Sequence, residues 1–134
     1  MNPRSSSRGR LSRSAEFERV YRQGRSTANR HLVLYTFPNA SAERPRLGLS
    51  VSRKVGGAVE RNRVKRLLRE AFSRVEGELR ADQDVVVVAR PSAAELVERE
   101  GLAGVDAALG ELIAKAGMRA GDKGSGEAPA QERA

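Results

Sequence analysis

The segment Arg61-Asn62-Arg63-Val64-Lys65-Arg66-Leu67-Leu68-Arg69 sets five cations and one amide within nine residues, and Arg53 and Lys54 lie just upstream. Cations at this density neutralise phosphates and release their counterions, the main source of nucleic-acid affinity. Arginine adds a planar fork of donors that matches phosphate oxygens. Asn62 can donate and accept, so it suits either a turn or a base edge. A second group is aromatic: Phe17, Tyr21 and Tyr35 are three of five aromatic residues in the chain. Aromatic rings provide stacking platforms for unpaired bases, and they equally pack helices onto sheets.

Protein-borne catalysis finds little material. The single histidine, His31, excludes any site built on two histidines, and with no cysteine there is neither a thiolate nucleophile nor a disulfide. The acidic residues fall mostly after position 77, in no pattern that assembles a two-metal carboxylate site. Gly56-Gly57 lacks the Lys-Ser/Thr continuation of a phosphate loop and is an ordinary turn signal. No catalytic residue and no metal ligand is therefore expected on the polypeptide.

Charge is unevenly spread. The net charge is +8, yet residues 1–30 hold eight Arg against two Glu, and residues 53–76 hold eight Lys/Arg against three Glu. Residues 77–134 reverse the sign, with seven basic against eleven acidic. A polyanionic partner for the first 76 residues follows. No run of 18 apolar residues is present, so no membrane span is expected. The basic N-terminus lacks the apolar block of a secretory signal, and absent cysteines agree with a reducing cytoplasm.

Hydrophobic spacing supplies the frame. Residues 1–10 read as a flexible basic arm. A helix is predicted over 14–23, with Phe17, Val20 and Tyr21 on one face and Gly24 at its exit. His31 to Phe37 reads as a strand stopped by Pro38-Asn39, and Arg46 to Arg53 as a second. In that second strand Leu47, Leu49 and Val51 face a core, while Gly48, Ser50 and Ser52 leave room on the other side. A helix over 59–76 places Val64, Leu67, Leu68, Ala71, Phe72 and Val75 in one stripe. Asn62, Lys65, Arg66, Arg69 and Ser73 fall opposite it, with Arg61 and Arg63 on its flanks. Arg61, Lys65 and Arg69 form a like-charge row; Glu70 is placed to relieve Arg66 and Arg74. The valine run from Asp84 to Arg90 suits a strand buried on both faces, giving a parallel βαβ unit over 46–90. Ser92 and Glu95 form a capping-box signature for a further helix, interrupted at Gly101 and Gly104 and resuming to Ala116. Residues 117–134 read as a disordered tail.

The run from Leu49 to Phe72, with its Arg-Asn-Arg-Val-Lys-Arg core, resembles the bacterial ribonuclease P protein subunit. So do Phe17 to Gly24, Ala28 to Arg30 and Leu32 to Tyr35. The resemblance covers roughly residues 10–116, and Gly57 stands where Asn or Lys would be expected. It implies an α+β fold: a single-domain α-β-β-β-α-β-α sandwich with a central mixed sheet, like domain 2 of ribosomal protein S5. It further implies a short extra strand near Arg25 to Ala28 and a left-handed βαβ crossover, an exception to the usual hand. The implied domain spans 11–116. The implied enzyme is a ribonucleoprotein that removes the 5′ leader from precursor tRNA, with chemistry and Mg2+ carried by the RNA. Arg53, Lys54, Arg61, Asn62, Arg63, Lys65, Arg66 and Arg69 would contact the catalytic RNA. Phe17, Tyr21, Tyr35, Ser50 and Ser52 would form a groove for the single-stranded leader. Two other classes compete on the residues alone. A major-groove DNA reader would need a helix a short turn before residue 59, where a strand and two glycines stand instead. A self-sufficient nuclease would need the His or carboxylate cluster that the chain lacks.

Overall fold

The amphipathic stripe at Phe17, Val20 and Tyr21 folds as predicted, into helix α1 over Ser14–Gln23. The computed structural model describes residues 14–121, so the N-terminal arm and residues 122–134 lie outside the described residues. Strand β1 follows at Arg25–Ala28, β2 at Leu32–Pro38 and β3 at Arg46–Ser50. Helix α2 spans Ala58–Val75 and runs into a 3-10 turn at Glu76–Glu78. Strand β4 is Gln83–Ala89, and helix α3 is Ser92–Ala116.

The four strands form one mixed sheet in the order β1-β2-β4-β3. β1 with β2 and β2 with β4 are antiparallel, while β3 and β4 are parallel neighbours joined through α2. The parallel unit expected over 46–90 is thus present. Alternation along each strand gives the sheet two apolar faces. Leu32, Leu34, Leu47, Val85 and Val87 enter the main core beneath α2 and α3, with Val64, Leu68, Phe72, Leu109, Leu112 and Ile113. On the other face Val20 and Val86 are fully buried, and Phe17, Tyr35, Phe37 and Val88 pack around them. The result is α1, sheet, then α2 and α3.

Several boundaries differ from the sequence reading, each for a local reason. β2 extends through Pro38, which pairs opposite Gln83 near the sheet's end. β3 stops at Ser50, because residues 52–56 close a turn through Val55 N–H to Ser52 O (3.0 Å) and Gly56 N–H to Arg53 O (3.2 Å). Ser92 does not cap α3: the N-cap is Pro91, without a side-chain bond, and the Ser92 hydroxyl donates to Arg30 O at 3.1 Å. Of the two interruptions expected in α3 only Gly101 (φ 60°, ψ −145°) leaves the helical conformation, adopting one that L side chains rarely reach, while Gly104 stays helical. The chain also does not leave the fold at Gly117. Met118 is buried, Arg80 N–H donates to Met118 O (3.1 Å), and Ala120 N–H donates to Glu78 O (2.9 Å). The expected tail boundary therefore falls inside packed structure.

The junction of α1 and β1 depends on Gly24. A Cβ there would press against the carbonyl oxygens of Thr36 and Val20, inside contact distance and against backbone that cannot swing away. Gly24→Ala should destabilise the protein by about 1–3 kcal/mol, as overpacking does. Urea unfolding checks it; an unchanged midpoint would mean that α1 can lift at little cost.

Candidate nucleic-acid interface

The aromatic residues converge on the sheet face that α1 covers. Tyr21 and Tyr35 meet edge to face with ring centroids 4.9 Å apart, and Phe17 lies 6.3 Å from Tyr21. Phe17 and Tyr35 are half-buried, while Tyr21 keeps 39% of its surface exposed. Such T-shaped pairs hold their rings rigidly and leave edges and one face open. Register places Ser26, Tyr35, Val86 and Gly48 in one row across the sheet, and Ala28, Val33, Val88 and Ser50 in the next. α1 buries Val86 in the first row, whereas Val33, Val88 and Ser50 in the second remain half-buried. That second row is therefore the part of this sheet face beside the rings that α1 leaves half open, a candidate groove. Val33 and Val88 were not picked out from sequence, although alternation with Tyr35 places Val33 on its face. Ser52 is a correction. It lies beyond β3, exposed, with its hydroxyl accepting from Lys54 N–H at 3.3 Å, so it shapes the turn and not the sheet floor.

Behind the groove sits a buried ion cluster. The Asp84 side chain is fully buried. It accepts from Arg46 Nε at 2.9 Å and Nη2 at 3.1 Å, from Asn39 Nδ2 at 3.1 Å and from Arg19 Nη2 at 3.3 Å. Burial acts to raise its pKa, but hydrogen bonds from Arg46 and Asn39 and the charges of Arg46 and Arg19 outweigh it. The carboxyl is held below its ordinary value of 3.8. Arg19 also lies over the Phe37 ring, 5.2 Å from its centroid. A residue of α1 is thus tied by charge to the sheet beneath the rings.

The basic surface begins where β3 ends. Arg53 and Lys54 are exposed in the turn, and Gly57 caps α2 with its N–H donating to Glu60 Oε1 at 3.0 Å. Arg61 is half-buried and donates from Nε to Gly56 O at 3.2 Å, so it also ties the turn to the helix. Val64, Leu67, Leu68, Ala71 and Phe72 are buried as their spacing predicts. Asn62, Arg63, Arg66 and Arg69 are exposed and Lys65 is half-buried.

Pairing differs from one cation to the next. Arg19, Arg22, Arg44, Arg46, Arg74, Arg99 and Arg119 all face carboxylates within 4 Å. Arg53, Lys54, Arg63, Lys65 and Arg66 have no side-chain partner among the described residues. Glu70 relieves neither Arg66 nor Arg74; Arg74 pairs instead with Asp106 of α3 at 3.5 Å. Among the described residues no group of three or more His, Asp or Glu side chains is placed to hold a metal ion. No described helix is long and apolar enough to cross a membrane.

A mixed sheet backed by two helices, with a cluster of aromatic rings on one face and a cation-rich helix on the other, has the residue make-up of an RNA-binding protein of the α+β class. Comparisons narrow that class. The family model described as Ribonuclease P matches residues 6–115. The ribonuclease P protein component of Shouchella clausii is 52% identical over 91 residues, covering 68% of this chain and 75% of that protein. The solved Staphylococcus aureus RNase P protein superposes with TM-score 0.75 at 34% identity, covering 84% of this chain and 98% of that one. The Thermotoga maritima RNase P protein gives TM-score 0.70 at 34% identity, covering 78% of this chain and 94% of that one. The chain belongs to the ribonuclease P protein family.

Proposed function

We propose that the chain binds the catalytic RNA of ribonuclease P through Arg53, Lys54 and the exposed face of α2. It guides the single-stranded 5′ leader of precursor tRNA through the groove of Phe17, Tyr21, Tyr35 and Ser50. The RNA breaks the phosphodiester bond, and its own phosphates hold the magnesium that the reaction needs. The protein acts in the cytoplasm and supplies electrostatics and positioning. The observation that carries this reading is the set of five cations on and beside α2 that have no side-chain partner among the described residues. An anion that relieves their mutual repulsion gains affinity at little desolvation cost to the protein.

Cleavage of precursor tRNA with and without the catalytic RNA, at modest magnesium, tests the division of labour. Activity of the polypeptide alone would overturn it. Tyr35→Ala tests the groove. Loss of one stacking ring should weaken leader-bearing precursor by about tenfold, at the lower end of the 1–3 kcal/mol range for a base–aromatic stack. Binding of mature tRNA should not change. Equal losses for precursor and mature tRNA would remove the groove from this reading.

A further inference from the structure

β3 and β4 are parallel neighbours, so both finish at the same end of the sheet, and the chain leaves each of them into a helix. The first turns of α2 and α3 stand side by side there. Between them lies a cleft of about 470 Å³, within the roughly 300–1,000 Å³ of small-ligand sites. Its floor is apolar, made by the buried Val55, Val64 and Val97. Gly56 and Gly57 put no side chain across it. Val59, 78% exposed, adds an apolar wall on which a flat ring can rest.

Four charged groups line the cleft among the described residues. Two are already engaged: Glu95 by Arg99 at 3.6 Å, and Glu60, whose Oε1 accepts from Gly57 N–H at 3.0 Å. The other two are Arg63 on α2 and Glu98 on α3. They are opposite in sign and line one cleft from different helices, yet neither has a side-chain partner among the described residues. Arg63 belongs to the cation-rich face of α2. Glu98 is out of keeping there, because a carboxylate repels phosphate. A carboxylate accepts through both oxygens and donates nothing, so its complement in an RNA is a base edge with two adjacent donors. Of the four bases only guanine has such an edge, N1–H beside N2–H. The others set an acceptor next to each donor.

We infer that the cleft between α2 and α3 is a site for one unpaired guanosine of the catalytic RNA. Its base rests against Val59 and the valine floor, its N1–H and N2–H donate to the Glu98 carboxylate, and Arg63 takes its phosphate. This rests on the reading of α2 as the face that meets that RNA. Bases splayed out of the stack are the ones whose edges proteins read in RNA. Arg63 then sets the register of the backbone, and Glu98 supplies the choice of base.

Glu98→Gln gives the site and a plain surface charge opposite signs. Neutralising a surface charge removes a repulsion, so the catalytic RNA would bind as well as before or more tightly. Losing a guanine contact should instead weaken binding about tenfold, the scale of one bidentate base contact. The log–log salt slope should stay that of wild type, since no phosphate contact is lost. Position 98 is exposed on α3 and glutamine suits a helix as well as glutamate, so the fold is retained. Filter binding of the intact chain to the catalytic RNA across a salt series reads both quantities. Kethoxal, which modifies unpaired guanine at N1 and N2, then locates the base: wild type should shield one guanine that Glu98→Gln leaves reactive. Unchanged or tighter binding, or the same guanines shielded by both chains, overturns the inference. Binding of free guanosine monophosphate with no guanine of the RNA shielded would assign the cleft to a free nucleotide and likewise overturn it. Lys65→Ala/Arg66→Ala separates the two ideas. If that variant keeps wild-type affinity for the RNA, the reading of α2 fails; if it binds weakly while Glu98→Gln does not, only the guanosine site fails.

Discussion

A Lys65→Ala/Arg66→Ala variant will bind the catalytic RNA about 60-fold more weakly near 0.1 M salt, and its log–log salt slope will fall by about two. The size follows from counterion release. Each phosphate contact contributes a slope of about 0.9, so one contact is worth roughly eightfold at 0.1 M relative to 1 M salt, and two multiply. Both residues lack a protein partner among those described, so removing them strands no carboxylate. Neither belongs to the buried stripe of α2, so folding should be nearly untouched. Filter binding across a salt series reads both numbers at once. A weaker complex with an unchanged slope would mean that the loss is conformational and that this face does not meet phosphate. Arg74→Ala is the matched control, since that side chain is already spent on Asp106.

Much of this surface was readable in the sequence because helical periodicity is a strong signal. The stripe Val64, Leu67, Leu68, Ala71, Phe72 fixes which way α2 faces, and everything polar on it must then point outward. The groove was half legible. Phe17 and Tyr21 share a helical face, but their meeting with Tyr35 is a tertiary event, and Val33 and Val88 become its floor only once β2 and β4 pair. β1 carries no apolar alternation. Arg-Ser-Thr-Ala is a strand because it follows Gly24 and pairs with β2, and because Asn29 turns the chain. Asn29 Oδ1 accepts from the N–H groups of His31 and Leu32, and its Nδ2 reaches Ala108 O. Only the family resemblance pointed to it.

The misreadings share one cause: a local signature has several physical uses, and distant partners choose among them. Ser92 and Glu95 look like a cap, but Arg30 O and His31 sit close enough to claim the hydroxyl. Gly117-Met118 looks like the start of a polar tail, yet Met118 fills the core and residue 119 bridges to Leu79. Glu70 has the right spacing for Arg74, but Asp106 on α3 captures it. Asp84 carried no signal beyond opening a valine strand, since its partners lie 38, 45 and 65 residues away.

That last residue sets the other large expected effect. Asp84→Ala should cost about 3 kcal/mol of stability at neutral pH, at the low end for breaking a buried pair. Arg46 and Arg19 retain 24% and 41% exposure, so both can turn partly into water once the carboxylate is gone. The pH dependence has a definite sign. The folded pKa lies below the ordinary 3.8, so the contribution is complete above that value and is lost as pH falls through the depressed folded value. Urea midpoints of wild type and Asp84→Asn should therefore differ by a constant amount from neutral pH down to about pH 5 and converge only below the ordinary carboxylate range. A gap that persists unchanged into strong acid would show that packing, and not charge, holds this corner. The functional consequence is selective as well. Asp84 tethers Arg19, and Arg19 lies between Phe17 and Tyr21 on α1. Loosening it should impair leader binding while the basic face of α2, built on the opposite side of the sheet, keeps its hold on the catalytic RNA.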